Sequence, residues 1–408
     1  MSAFFSGNAD KPARLFQLAK RRSFCLALAL WAILAVWPGI AFGSPDVPSA
    51  AAPKNVILLI GDGMGFAQVQ AAGLYANGTP GSLFLESLPH RARVVTASAS
   101  TLADPQKSVP TDSAAAATAM ATGVKVHNGV LSVAIPGDGR PLETVLEHFA
   151  SQGKMTGLVS TAYITDATPA AFGAHSAGRG NDKDIIDGYL RTVRPNILMG
   201  GGDSSFGSGL TPRAIRDAGY ELVTDRAGLA ALRATAGARV FGLFGSGNLP
   251  YEEPLAQPDA VQSTRPLPTL SEMASASLRI VAAEPRGFFL MIEGGLIDKA
   301  AHTGGLKHCL GETIAFDRTV RLVMDWAGGR SDTLVMVVAD HETNGLDVLR
   351  GNGKGRLPDV RWTGSGGHTN RDVPLFAWGV GAPEVAGTLD NTDIFSLMTG
   401  TFPRKRVP

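Results

Sequence analysis

Asn55-Val56-Ile57-Leu58-Leu59-Ile60-Gly61-Asp62-Gly63-Met64-Gly65 sets the fold class. Five consecutive apolar residues, Val56–Ile60, suit a strand buried on both faces, as in a parallel sheet covered by helices. An acid between two glycines follows at once, so the chain turns sharply at the strand's carboxyl end with Asp62 in the turn. The pattern could be mistaken for a dinucleotide-binding loop. Its spacing is G-x-G-x-G rather than G-x-G-x-x-G, and an acid stands where a pyrophosphate would approach.

Similar apolar runs recur along the chain. Strands are expected at Val56–Ile60, Val94–Thr96, Thr156–Ser160, Asn196–Met199, Arg239–Phe244, Phe288–Ile292, Thr333–Ala339 and Leu375–Trp378. Helical patterns alternate with them: Ser113–Thr122, Leu142–Gln152, Lys183–Val193, Thr211–Ala218, Ala227–Thr235, Thr269–Ala282 and Glu312–Trp326. No internal repeat or second folding pattern interrupts them. The expected architecture is a three-layer, doubly wound α/β domain over residues 55–408, with a mostly parallel central sheet and helices on both faces. Gly200-Gly201-Gly202 is expected in a turn.

The N-terminus is expected to be a signal peptide, residues 1–43. Lys20-Arg21-Arg22 precedes the apolar run Phe24–Val36, Pro38-Gly39 interrupts it, and Ala41-Phe42-Gly43 offers small residues for cleavage. Arg21-Arg22-Ser23-Phe24 resembles a twin-arginine export signal. Residues 44–54 form a Pro/Ala-rich linker. Export to the periplasm or outside, with no membrane anchor in the mature form, is the expected location. The full chain of 408 residues carries a net charge of +1. Loss of the first 43 residues removes five basic groups and one acid, leaving the mature chain at −3. Neither balance favours a nucleic-acid partner. Of the two cysteines, Cys25 leaves with the signal and Cys309 stays alone, so an intramolecular disulfide is excluded.

In doubly wound sheets, sites form beyond the carboxyl ends of the strands. Acids gather there: Asp62, Glu293 and Asp340-His341 follow strand runs, and Asp166 and Thr168 follow Thr156–Ser160. Carboxylates converging from four strand ends need cations to coexist. Asp298 and His302 stand four apart, on one face if helical; on spacing alone a surface pair is the commoner arrangement, and the other acid clusters turn the reading toward a zinc site. His368 lies in a glycine loop. His90, His127, His148, His175 and His308 lack such a setting and are assigned no metal. Thr111-Asp112-Ser113 opens an alanine-rich helix, where serine is most often a cap.

Several segments in order are similar to the signatures of alkaline phosphatases: 55–65, Thr111-Asp112-Ser113-Ala114-Ala115-Ala116-Ala117-Thr118, Asp166-Ala167-Thr168-Pro169-Ala170-Ala171, Arg179, Glu293-Gly294, Asp298-Lys299, His302, Ala339-Asp340-His341-Glu342 and His368-Thr369. The resemblance runs from about residue 55 to 380. It implies two Zn2+ and one Mg2+ per chain. Asp298, His302 and His368 would hold the first zinc; Asp62, Asp340 and His341 the second, joined by the Ser113 nucleophile. Asp62, Thr168 and Glu293 would hold magnesium, with Asp166 acting through water and Lys299 beside it. Arg179 would clamp the phosphate of small-molecule monoesters. It implies hydrolysis through a phosphoserine at alkaline pH, and a homodimer as the usual assembly.

The lone Cys309 departs from family members that carry disulfides. The interval from His341 to His368 is short, so an open site with broad substrate choice is expected. Two neighbours in the fold superfamily fit less well. Diesterases mostly use threonine and lack the arginine, and sulfatases need C-x-P-x-R, which this chain does not contain. A non-catalytic metal- or phosphate-binding protein would not need an intact nucleophile.

Overall fold

A computed structural model describes residues 52–202, 210–252 and 266–403. The expected signal segment, and the linker up to residue 51, lie outside the described residues. Among the described residues there are fourteen strands: β1 (Asn55–Gly61), β2 (His90–Val95), β3 (Met155–Tyr163), β4 (Ile197–Gly201), β5 (Glu221–Val223), β6 (Val240–Phe244), β7 (Phe288–Gly294), β8 (Thr333–Val338), β9 (Glu342–Thr343), β10 (Leu346–Arg350), β11 (Asp359–Trp362), β12 (His368–Thr369), β13 (Val373–Gly379) and β14 (Ala386–Asp390). Ten of them make one sheet in the order β14-β2-β13-β8-β1-β7-β3-β4-β6-β5. Every neighbouring pair in it is parallel except the two that β13 makes, with β8 and β2. The expected doubly wound sheet is therefore present, with one reversed strand.

The core strands are buried along their whole length, β1, β7, β8 and β13 alike. Their uninterrupted apolar runs follow from helices covering both faces. Truncating one of these side chains, Leu58→Ala for example, should cost about 2–5 kcal/mol through lost transfer energy and the cavity left behind. Cys309 is buried and unpaired, so this core carries stability without a disulfide.

Several boundaries differ from expectation for local reasons. β2 starts at His90 rather than Val94; its outward residues include Arg91 and Arg93, and this alternation hid it among the apolar runs. The helix expected from Leu142 starts at Val145, because Thr144 caps it and Glu147 closes the capping box. The helix expected over Lys183–Val193 is Asp182–Asp187 followed by a wider turn over Gly188–Thr192. The helix expected over Ala227–Thr235 stops at Ala231, while the one expected from Glu312 starts six residues earlier, at Leu306. Gly200 and Gly201 extend β4 rather than turning. A Cβ on Gly201 would lie 2.0 Å from the Gly247 carbonyl oxygen, so the close approach of the loop after β6 excludes any side chain.

The register explains where a site can form. Ile60 of β1 pairs with Glu293 of β7 and with Val338 of β8, and Ser160 of β3 also pairs with Glu293. Asp62, Glu293, the loop after β3 and Asp340 therefore emerge at one edge of the sheet. The reversal of β13 brings its amino end, not its carboxyl end, to that edge, with Leu375 opposite Val338. The glycine loop carrying His368 precedes β13 and so reaches the same place.

Candidate active site

The helix Ser113–Thr122 supplies the serine. Every one of its residues is buried, and most are alanine, so it packs closely against the helix Ala167–Gly173. Its cap is Asp112, whose Oδ1 accepts from the Ala115 amide at 3.0 Å. Ser113 is consequently the first helical residue and has no capping duty. Its Oγ lies 3.2 Å from His341 Nε2, and the positive end of the helix favours negative charge there.

Two clusters of acids and imidazoles face this hydroxyl. Asp62, Asp340 and His341 form one, and all three are buried. His341 Nε2 lies 3.1 Å from Asp340 Oδ2 and 3.5 Å from Asp62 Oδ1. Neither Asp62 Oδ1 nor Asp340 Oδ2 has a hydrogen-bond partner although both are buried. Donor atoms of a tetrahedral zinc site stand about 3.3 Å apart, given bonds of about 2.0 Å. Unpartnered carboxylate oxygens at such spacing suit a divalent cation, which would satisfy what no protein donor does.

The second cluster is built on the short helix Leu296–His302, where the four-residue spacing does put both groups on one face. His302 Nε2 is 3.1 Å from Asp298 Oδ2. His368 Nε2 lies 3.7 Å from Asp298 Oδ1 and 3.2 Å from His302 Nε2. The outer nitrogens of both imidazoles meet backbone carbonyls, Gly366 for His302 and Thr111 for His368, the support that ligand histidines commonly have. His341 also groups with Asp298 and His368, its ring stacked on His368 at 3.6 Å. Expected in the second zinc set alone, it lies between the two clusters.

Glu293 accepts from Ser160 Oγ at 2.5 Å, and Thr168 lies buried beside it. Burial pushes the Glu293 carboxyl up to about 8. Burial, then the charges of Asp340 and Asp298, pushes Asp62 well above the usual carboxylate range. Burial also drives His368 down to about 4, with the neighbouring His341 adding to it.

Arg179 and Lys299 flank the clusters, with Lys299 Nζ also 3.7 Å from Asp298 Oδ2. Asp166 Oδ1 accepts from Arg179 at 2.8 Å and Oδ2 pairs with Lys299 Nζ at 3.1 Å; the expected nearness of Lys299 and Asp166 is present. Burial opposes both charges, but the neighbouring acids together outweigh it, Asp166 with Asp62 and Asp298 for Lys299 and Asp166 with Asp112 for Arg179, so each is held cationic. Arg179 also reaches Asp112 Oδ2 at 3.3 Å. Sequence reasoning missed Asp112, which caps the serine helix with one oxygen and orients the arginine with the other. It also missed Ser160, which donates to Glu293, and Thr343, which donates to Asp298; only the acid in Thr-Asp-Ser before a helix was a legible signal. None of His90, His127, His148, His175 and His308 joins either cluster. His175, for example, is engaged by Ser132 and Glu147.

Anionic donors face each other on one side while cations fixed by carboxylates wait on the other. This division of charge defines a class, the metal-dependent hydrolases of phosphorylated substrates. Comparison with known proteins makes the class specific. The family model for alkaline phosphatase matches residues 53–354. The chain is 34% identical to streptomycin-6-phosphate phosphatase of Streptomyces griseus, over 94% of this chain and 97% of that one. It is 30% identical to alkaline phosphatase 3 of Bacillus subtilis, over 88% and 94%. The crystal structure of a cold-active alkaline phosphatase from a psychrophilic Shewanella superposes with a TM-score of 0.73 at 27% identity, over 86% of this chain and 100% of that one. The chain belongs to the alkaline phosphatase family. It is a metal-dependent hydrolase of phosphate monoesters.

Proposed function

We propose that the chain binds two Zn2+ and one Mg2+ and hydrolyses phosphate monoesters through a phosphoserine at Ser113. Asp298, His302 and His368 would hold one zinc, and Asp62, Asp340 and His341 the other. Asp62, Thr168 and Glu293 would hold magnesium, with Asp166 reaching it through water. The donor types support this division: carboxylate with imidazole for zinc, oxygen alone for magnesium. When bound, the cations supply Lewis-acid charge that lowers the pKa of the serine hydroxyl and stabilises the leaving oxygen.

The protein's own groups do the rest. Arg179 takes two phosphate oxygens, its planar fork oriented by Asp112 and Asp166. Ser113, as alkoxide, attacks phosphorus in line; the P–O bond to the alcohol breaks and the alcohol leaves with a proton. Water then attacks the phosphoserine on the opposite side from Ser113, releasing inorganic phosphate and restoring the hydroxyl. Lys299 adds positive charge beside the departing phosphate.

The observation that carries this assignment is the freedom of Ser113: Asp112 caps the helix, and the serine oxygen is turned to His341 instead. Acid quenching of the reconstituted enzyme with an aryl phosphate, followed by peptide mass spectrometry, should find phosphate on Ser113. Phosphate on another residue, or faster turnover of the matching diester, would contradict the assignment. Export belongs to the same proposal: residues 1–43 are a cleaved signal, and a mature N-terminus near Ser44 on the recovered enzyme is the check.

A further inference from the structure

We propose that Thr343 is a positioning residue that fixes the tautomer of His341 and couples the two proposed zinc sites. The inference rests on the metal assignment above and extends it to a residue with no ligand role.

The hydroxyl of Thr343 is fully buried. It donates to Asp298 Oδ1 at 2.6 Å and lies 3.3 Å from His341 Nδ1. A threonine hydroxyl has one hydrogen. With that hydrogen on the carboxylate, the oxygen can only accept from His341, so the imidazole proton belongs on Nδ1. Nε2 then carries the lone pair, facing Asp62 and Asp340, and the Ser113 hydroxyl at 3.2 Å is the protein group placed to donate to it. That single hydroxyl hydrogen cannot also satisfy Asp62 Oδ1 and Asp340 Oδ2, which have no donor, whereas one cation can meet the lone pair and both oxygens.

Thr343 also reaches the remaining ligand loop. In the two-residue ladder of β9 and β12 it is paired with His368. One residue thus contacts Asp298 and His341 with its side chain and sets His368 with its backbone. Ligands of both clusters depend on the same hydroxyl-bearing segment.

Gly63 provides an independent observation. Its φ is +70°, and a Cβ there would lie 2.7 Å from Thr343 Oγ1 and 3.0 Å from Asp298 Oδ1. The glycine in the loop after β1 leaves room for this particular contact. The turn around Asp62 and the hydroxyl link are therefore built to fit each other.

The test compares Thr343→Val, which keeps the shape and removes the hydroxyl, with Thr343→Ser, which keeps the hydroxyl. Zinc is titrated into each full-length mature protein at buffered free-metal concentrations, and the histidine nitrogens are followed by long-range 1H–15N NMR. The valine variant should bind zinc about 10–100-fold more weakly, the usual cost of removing a ligand's outer partner. Its His341 should lose the single Nδ1–H signature that the wild type and the serine variant display. A merely structural threonine would alter melting but not that signature. If the valine variant fails to fold, Thr343→Ala against Thr343→Ser repeats the comparison with smaller side chains. Equal zinc affinity and an unchanged His341 signature without the hydroxyl would overturn the inference. A wild-type protein that takes up no zinc would instead overturn the metal assignment beneath it.

Discussion

The two sides of the pocket solve the problem of buried charge in opposite ways. On the Arg179 side, Asp166 sits between a guanidinium and an ammonium, at 2.8 and 3.1 Å, and every charge has a protein partner. On the Asp62 side, acceptors face acceptors, and Asp62 Oδ1 and Asp340 Oδ2 have no donor. The first side is complete as the polypeptide folds. On the proposed metal assignment the second is completed only by cations, which would join the energetics of folding and of metal binding there. The comparison predicts that changes on one side act through metal and stability, and changes on the other through phosphate affinity.

The largest effect belongs to Ser113, between the two. Ser113→Ala should lower kcat by several orders of magnitude, as removal of a covalent nucleophile does, while zinc content stays as in wild type. Retention of more than about a tenth of the activity would remove serine from that role. Arg179→Ala should come next, weakening inhibition by phosphate about 10–100-fold, as expected for a lost charge-assisted pair worth roughly 1.5–3 kcal/mol. Its metal content and its melting with metal bound should change little. A loss of zinc in Arg179→Ala would break the division between the sides.

Asp62→Asn probes the other side with a change of sign. Removing a carboxylate that burial and its acidic neighbours disfavour should raise the melting temperature of the metal-free protein by a few degrees, about 2–4 °C per kcal/mol for a domain of this size. The same substitution should lower it when metals are present. A variant destabilised in both states would show that the repulsion is absent. A smaller effect is expected of Lys299→His. It should weaken phosphate inhibition and raise kcat at alkaline pH, where histidine is neutral and product leaves more easily; tighter phosphate inhibition would contradict this.

The smallest predicted effect is a slope with pH. Folding holds a proton on Glu293 up to about 8, against an ordinary value of 4.5, and the imidazole of His302 is likewise raised, chiefly by its hydrogen bond to Asp298. Between pH 6.5 and 8 the folded metal-free pocket binds protons that the unfolded chain has released, so stability declines as pH rises through that window. The opposing shift at His368, from 6.5 down to about 4, is complete below it. Bound cations replace those protons, so the metal-loaded enzyme should melt with little dependence on pH over the same range.

Much of this pocket was legible in the sequence because strand ends are local features. An apolar run followed by Asp62, Glu293 or Asp340 reports its own position at the sheet edge, and the doubly wound rule gathers the edges together. The spacing of Asp298 and His302 was likewise a one-helix statement. What escaped depends on partners far along the chain. The reversal of β13, which delivers His368, is set by pairing with β8 and β2 and leaves no trace in its own apolar residues. Asp112 could be seen as a cap, but its second oxygen meets Arg179 across 67 residues. Thr343 looked like an ordinary residue two places after His341, since its link to Asp298 spans 45 positions. The placement of His341 between both clusters rests on ring stacking that no spacing encodes.

The central claim is that the buried acceptors around Asp62 and Asp340 are completed by cations. Differential scanning calorimetry of the mature enzyme at pH 8, stripped by chelation and then reconstituted with zinc and magnesium, addresses it directly. The account predicts a clearly lower melting temperature and no hydrolysis of an aryl phosphate after stripping, with both restored on reconstitution. Identical melting with and without metal would contradict it.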